Sequence, residues 1–256
     1  MELFGNERLE WLRTFLTLKK GIPSHDTFGD IFAALEPAQI ANAFVEWVER
    51  IRAKISGEVV GLDGKTICAS ADVPKNKKAV HVISAWAAQN RLVLGQMAVD
   101  GKSNEITAIP KILEMLKLKG CIVTIDAMGT QAKIADAIIE KDADYILTVK
   151  ENQPQLHEDI AVFFNESDGE TFESAVSKEK SHGRIEERKI EITRAIDWLD
   201  QEHKWRGLSG IARLRARSEN LTTSKVETST QYLIFSSNTA SAAQLLAAKR
   251  AHWGGV

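Results

Sequence analysis

Asp63 and Asp126 are the residues whose setting could do chemistry. Asp63 follows the apolar run Val59-Val60-Gly61-Leu62 and precedes Gly64-Lys65-Thr66. Asp126 follows Cys121-Ile122-Val123-Thr124-Ile125 and precedes Ala127-Met128-Gly129. Short β-branched runs of this kind read as buried strands, and Gly64 is expected to end the first. Each carboxylate then stands at the mouth of a sheet, where it keeps water or binds a cation. Two such aspartates are a minimal divalent-metal site, because Mg²⁺ takes hard oxygen ligands and retains part of its water. Singly, each would read as turn chemistry, Asp-Gly being common in turns.

The bulk composition is that of an ordinary globular chain. Its 256 residues are 44% hydrophobic and 27% charged, with a net charge of −2. That length holds one good core, or one core with a large insertion. No apolar run is long enough to span a membrane and no signal-peptide pattern begins at Met1, which points to the cytoplasm. The two cysteines, Cys68 and Cys121, form neither a disulfide framework nor a metal-ligand spacing, and are expected in or near the core. Net charge does not announce nucleic acid, so DNA binding has to rest on local basic faces.

The elements that must position the aspartates follow from periodicity. Residues 1–20 pattern as one amphipathic helix, then Gly21 to Asp26 breaks it, with Ser24 or Asp26 placed to cap the next. The neighbours His25 and Asp26 read as capping chemistry, not a catalytic pair. A third helix is expected from about Ala38 to Lys54. From Glu58 the pattern turns to strands, and Asn90-Arg91 joins Val80–Gln89 to Leu92–Val99 as a hairpin. A helix over Thr107 to Leu118 (Pro110 in its first turn), the Asp126 strand, a helix to Lys141 and a strand Tyr145–Val149 follow. A hairpin leading into a βαβ crossover gives an α/β fold, a mixed sheet flanked by helices. That is the strand order of the ribonuclease H-like fold. Alternating runs at 188–196, 211–217 and 228–235 read as an antiparallel β-rich insertion, after which Thr239 to Ala251 turns helical.

The motifs taken together resemble the DDE transposases of bacterial insertion sequences, in the group of H-repeat-associated proteins. The matching pieces are Gly21 to Thr27, Asp63-Gly64-Lys65, His81 to Ala85, Lys102 to Pro110, Asp126 to Gly129, Lys150 to Gln153 and Ser181 to Arg184. Each is weak alone; their order along nearly the whole chain is specific. The resemblance implies a ribonuclease H-like core that cuts and joins DNA with Mg²⁺ or Mn²⁺. Asp63 then matches the first catalytic aspartate and Asp126 the second, both as metal ligands. The partners implied are transposon ends and target DNA, with a homodimer to pair two ends. The third acidic residue of the family is a glutamate after a His-Trp pair. Here His252-Trp253 is followed by Gly254-Gly255-Val256, so Val256 stands at the glutamate's place. The expectation is a shortened transposase with impaired transposition; the alternative is a catalytically inactive DNA-binding remnant.

Further roles are read around the pair. Glu105 is expected near both aspartates as a further catalytic carboxylate, against the alternative that it caps its helix or pairs with Lys102. Lys65, Lys150, His182 and Arg184 are candidate DNA contacts, of the kind that position a backbone without reading sequence. Arg213, Arg215 and Arg217 alternate, so a strand puts them on one face. They form either a DNA-facing strip or the polar face of an edge strand. His81, His182 and His252 have no zinc spacing. Trp198, Trp205 and Trp253 are expected to pack. The expected divisions are a helical block over 1–56, the core over 57–165, the insertion over 166–237 and the start of a truncated last core helix over 238–256.

Overall fold

A computed structural model describes residues 1–71, 79–99, 105–167, 172–181, 183–200 and 204–252. Two compact units are resolved, Met1–Phe44 and Val45–Val256.

In the first unit, residues 1–20 form two short helices, α1 (Glu2–Glu7) and α2 (Leu9–Arg13), in place of the single helix expected. The Ser24 hydroxyl accepts from the Thr27 N–H and caps α3 (His25–Ala34). His25 is tied to Glu2, its ring Nδ1 3.0 Å from Oε2. Helix α4 (Pro37–Ile51), which starts in this unit and ends in the second, begins at a proline, where a missing N–H costs nothing.

The second unit is built on one nine-stranded sheet with the order β3-β2-β1-β4-β5-β9-β8-β7-β6. Its strands are β1 (Val59–Ile67), β2 (Val80–Ala87), β3 (Leu92–Val99), β4 (Ile122–Ile125) and β5 (Asp144–Val149) in the core. The insertion supplies β6 (Glu173–Ser181), β7 (Arg184–Thr193), β8 (Gly210–Asn220) and β9 (Val226–Phe235). β1, β4 and β5 run parallel, while β2 is antiparallel to β1. That arrangement is the ribonuclease H-like sheet. Antiparallel pairing of β9 with β5 joins the insertion to the core sheet without a break. The strand β6 was not foreshadowed, because Glu173–Ser181 has almost no apolar alternation.

Side-chain parity assigns the two faces. Val60, Leu62, Ile83, Val123, Ile125 and Leu147 pack under α5 (Glu105–Met115) and α6 (Ala132–Ile139). Val59, Ile146, Ala212, Leu233 and Phe235 pack under α9 (Ala242–Ala251) on the other face. Ser241 and Gln244 close a capping box at the start of α9. Helix α5 starts at Glu105, two residues earlier than expected, so Pro110 lies inside the helix and costs one backbone hydrogen bond. Cys121 is buried, but Cys68 is exposed, against expectation, in the 3₁₀ turn (Cys68–Ser70) that follows β1. Trp205 is buried and Trp198 stacks on Phe163 at 5.2 Å. Trp253 lies outside the described residues.

The arginines of β8 do share a face, but β8 is an interior strand between β7 and β9, not an edge. Arg213 and Arg215 converge on Glu191 of β7 at 3.0 and 2.8 Å, and Lys189 reaches its other oxygen at 2.8 Å. Burial pushes the Glu191 carboxyl up, but the three cations outweigh it and hold the group below its ordinary 4.5. A depressed carboxyl stabilises the fold above its unfolded pKa and loses that contribution as pH falls through the folded one. Acidification below about 4.5 is therefore expected to lower the urea midpoint more in the parent than in Glu191→Gln. Equal slopes in the two proteins would sink the assignment.

Candidate active site

The two aspartates meet because β1 and β4 are parallel neighbours in register. Gly61 pairs with Thr124 and Leu62 with Ile125, which brings Asp63 level with Asp126 where β4 ends and β1 continues past it. Both belong to the parity that faces α9, since a Cβ on Gly61 would touch His252. Asp126 is partly exposed and opens a 3₁₀ turn over Ala127–Gly129. Two side chains of a distant motif brace that turn. Asn152 donates to the Ala127 carbonyl at 2.6 Å and Gln153 to the Thr130 carbonyl at 3.0 Å. The Lys150 to Gln153 stretch thus serves the aspartate through its amides, while Lys150 itself is exposed.

Gly64 does not end β1. The strand runs on to Ile67, with Gly64 paired to Ile83. The glycine is needed for clearance: a Cβ there would collide with the Glu105 carboxylate and crowd His81 Nε2. Glu105, the first residue of α5, thus crosses β1 on the α5 face, directly beside Asp63. Asp63, Glu105 and Asp126 line one cleft with Ile83, Ile109 and Met128, with room for about 20 Å³, roughly one water-sized occupant. Glu105 Oε1 lies 2.5 Å from Nε2 of His81, a buried residue of β2. The other ring nitrogen, Nδ1, lies 2.9 Å from Thr66 Oγ1. Among the described residues no three His, Cys, Asp or Glu side chains form a ready-made cluster for an ion.

Helix α9 and its C-cap add two groups: Lys249, which sequence reasoning missed, and His252, which it named only as part of the His-Trp motif and as lacking a zinc spacing. Lys249 is buried, donates to Thr148 Oγ1 at 2.7 Å and puts Nζ 3.7 Å from Asp126 Oδ1. Burial lowers its pKa, helped by Lys150 and opposed by Asp126. His252 is also buried, with Nδ1 2.9 Å from Thr124 Oγ1 and Nε2 3.9 Å from the same Asp126 oxygen. Burial and then Lys249 lower the His252 pKa, while Asp126 and Asp63 oppose them. An alanine-rich helix more than a hundred residues away gave no sign of this; only the face parity of β1, β4 and β5 brings Lys249 to Asp126.

The remaining candidates sit apart. Lys65 is exposed on β1 just past Asp63. Arg184 is exposed at the start of β7, in a groove of about 540 Å³ with Arg188, Arg217, Ser218 and Thr228. His182 and Lys102 lie outside the described residues.

Comparison with known proteins is consistent along the chain. Residues 1–48 match the model described as DDE_Tnp_1-associated, and residues 56–254 match the model described as Transposase DDE domain. A protein of Xanthobacter autotrophicus named "Uncharacterized protein in dhlA 3'region" is 42% identical over 84% of this chain and 74% of its own length. "Putative transposase YncI" of Escherichia coli O157:H7 is 39% identical over 99% of this chain and 66% of its own. "H repeat-associated putative transposase YhhI" of Escherichia coli K12 is 37% identical over 82% of this chain and 57% of its own. The chain thus spans between about half and three quarters of the length of these relatives. A structure titled as the piggyBac transposase synaptic complex with hairpin DNA aligns with 95% of this chain at 10% identity and TM-score 0.42, too loose to argue from. The resemblance read from the motifs is borne out: over most of its length this chain belongs to the DDE transposase family, in the H-repeat-associated group.

Proposed function

We propose that this chain carries the catalytic core of a transposase that cuts DNA at insertion-sequence ends and joins it to a target, using Mg²⁺ or Mn²⁺. The observation that carries the reading is the placement of Asp63 level with Asp126, on one face, just where the parallel pairing of β1 with β4 ends. The donor chemistry fits a hard divalent ion: two carboxylates at an open sheet end, with a third, Glu105, lining the same cleft. When bound, such ions activate the attacking oxygen and stabilise the leaving one. Asp63 and Asp126 would hold the metal, and Glu105 would supply the further carboxylate. Lys249 offers an amine donor beside Asp126, placed to meet a phosphate oxygen brought to the metal. Lys65, Lys150 and Arg184 would hold the DNA backbone on the way in, with His182 proposed beside Arg184. Pairing of two DNA ends would call for two copies of the chain. Among the described residues no helix is long and apolar enough to cross a membrane; a DNA substrate would place the chain in the cytoplasm. In this reading residues 57–165 are the catalytic core, 166–237 the inserted sheet and 238–256 the returning helix, behind a helical block over 1–56.

Calorimetric titration with Mn²⁺ tests the reading, run on the parent and on the double variant Asp63→Asn/Asp126→Asn. Saturable binding is expected in the parent and none in the variant. A plasmid-nicking and strand-transfer assay beside it reads how far the chain's own carboxylates suffice for each step. A folded parent that binds no Mn²⁺ but shifts DNA in a gel would replace the proposal with a DNA-binding remnant.

A further inference from the structure

We propose that His81 is a positioning residue for the acidic cleft, holding Glu105 in place through a relay that runs from Thr66. The inference rests on Glu105 serving the metal site. His81 is 2% exposed, and both ring nitrogens have partners. A carboxylate can only accept, so the ring donates from Nε2 to Glu105 Oε1, and in the neutral ring Nδ1 accepts the Thr66 hydroxyl proton. Thr66 and His81 face each other directly across β1 and β2, so the antiparallel register fixes the relay. Thr66 also sits two residues beyond Gly64, on the same side of β1, where the missing Cβ leaves a passage for the Glu105 side chain.

The consequence is geometric. Asp63 and Asp126 belong to the α9 parity of the sheet, whereas Glu105 arrives from the α5 side. Its carboxylate lies against Gly64 on that side, where the missing Cβ leaves it room, and lines the cleft there with both aspartates; His81, on the same side, fixes its position. With Oε1 committed to the ring, Oε2 is left to meet an ion or its water. A flexible glutamate at a helix start would otherwise sample several rotamers and lose entropy on each binding event. Residues that orient metal-binding carboxylates typically change affinity by about 10–100-fold when removed.

The test is Mn²⁺ calorimetry on the full chain, comparing His81→Phe, His81→Gln, Thr66→Val and Glu105→Gln, with His81→Phe/Glu105→Gln to close a cycle. His81→Phe is expected to weaken binding by about tenfold or more. The Gln variant should recover part of that loss, because its amide N–H can still donate to Glu105. In the Glu105→Gln background, His81→Phe should change nothing further. Thr66→Val gives a milder version of the His81 defect and serves if His81→Phe does not fold. Equal weakening by His81→Phe with and without Glu105 would overturn the positioning role, since it would mark general damage. Unchanged affinity in His81→Phe, or in Thr66→Val where His81→Phe does not fold, with binding still lost in the aspartate double variant, would overturn it while leaving the metal site intact. Binding indifferent to the aspartates would remove both readings together.

Discussion

Glu58→Gln is expected to destabilise the protein by up to about 3 kcal/mol, because the buried Arg52 loses the nearer of its two carboxylate partners and keeps only Glu49 at 3.1 Å. Glu58 is wholly buried immediately before β1, and Arg52 is nearly so. Arg52 donates from Nε and Nη2 to Glu58 Oε2 at 2.8 and 2.6 Å, and from Nη1 to the Lys117 carbonyl at 2.9 Å. The other Glu58 oxygen accepts from Asn90 Nδ2 at 2.6 Å, at the β2–β3 turn. Burial opposes the charge on Arg52, but Glu58, Cys121 and Glu49 outweigh it and raise the pKa of the guanidinium. One carboxylate thus ties the end of α4, the hairpin turn and the base of β1 together, at the end opposite Asp63. Urea unfolding should show a lowered midpoint at unchanged slope. The double variant Arg52→Met/Glu58→Leu, which removes both charges, should unfold at higher urea than Glu58→Gln alone. A double variant no better than the single would show that the site acts by shape and not by charge pairing.

The core strands were legible in the sequence because each is a β-branched run closed by a polar signal. Asp63 and Asp126 fell out of that pattern, and their register followed from the parallel pairing. β6 was invisible, since a strand that exposes most of Glu173–Ser181 needs no apolar alternation and takes its place from pairing with β7. Gly64 was misjudged for a physical reason: Asp-Gly is strong turn chemistry, and nothing local says that a side chain forty residues on must pass over it. Lys249 shows the same blindness at longer range, and so does the meeting of His252 with Asp126. The Lys150 to Gln153 stretch was noticed for its charge, yet Asn152 and Gln153 hold the turn that follows Asp126. Single-sequence periodicity places elements; which side chains meet at the mouth of the sheet is decided by packing across it.

Gly64→Ala should damage the cleft more than its single methyl suggests. The new Cβ would strike the Glu105 carboxylate and press on the His81 ring. His81 cannot yield easily, being buried and bonded at both nitrogens, so Glu105 must leave the cleft or β1 must shift. Overpacking of this kind costs about 1–3 kcal/mol. If Glu105 leaves, Mn²⁺ affinity should fall about as far as in Glu105→Gln, on the order of tenfold or more. Gly61→Ala is the matched control on the opposite face of the same strand. Its Cβ would lie 3.3 Å from both Nδ1 and the carbonyl oxygen of His252, a tight approach, and it leaves Glu105 untouched. The sharper test adds Glu105→Ala to Gly64→Ala. Shortening the glutamate makes room for the methyl, so the double variant should regain stability lost in Gly64→Ala, a coupling expected only for groups in contact. Strict additivity, or a Gly64→Ala protein with parental stability and Mn²⁺ affinity, would mean that Glu105 does not cross β1 at Gly64. The glycine of the Asp63-Gly64-Lys65 motif would then return to being a turn residue.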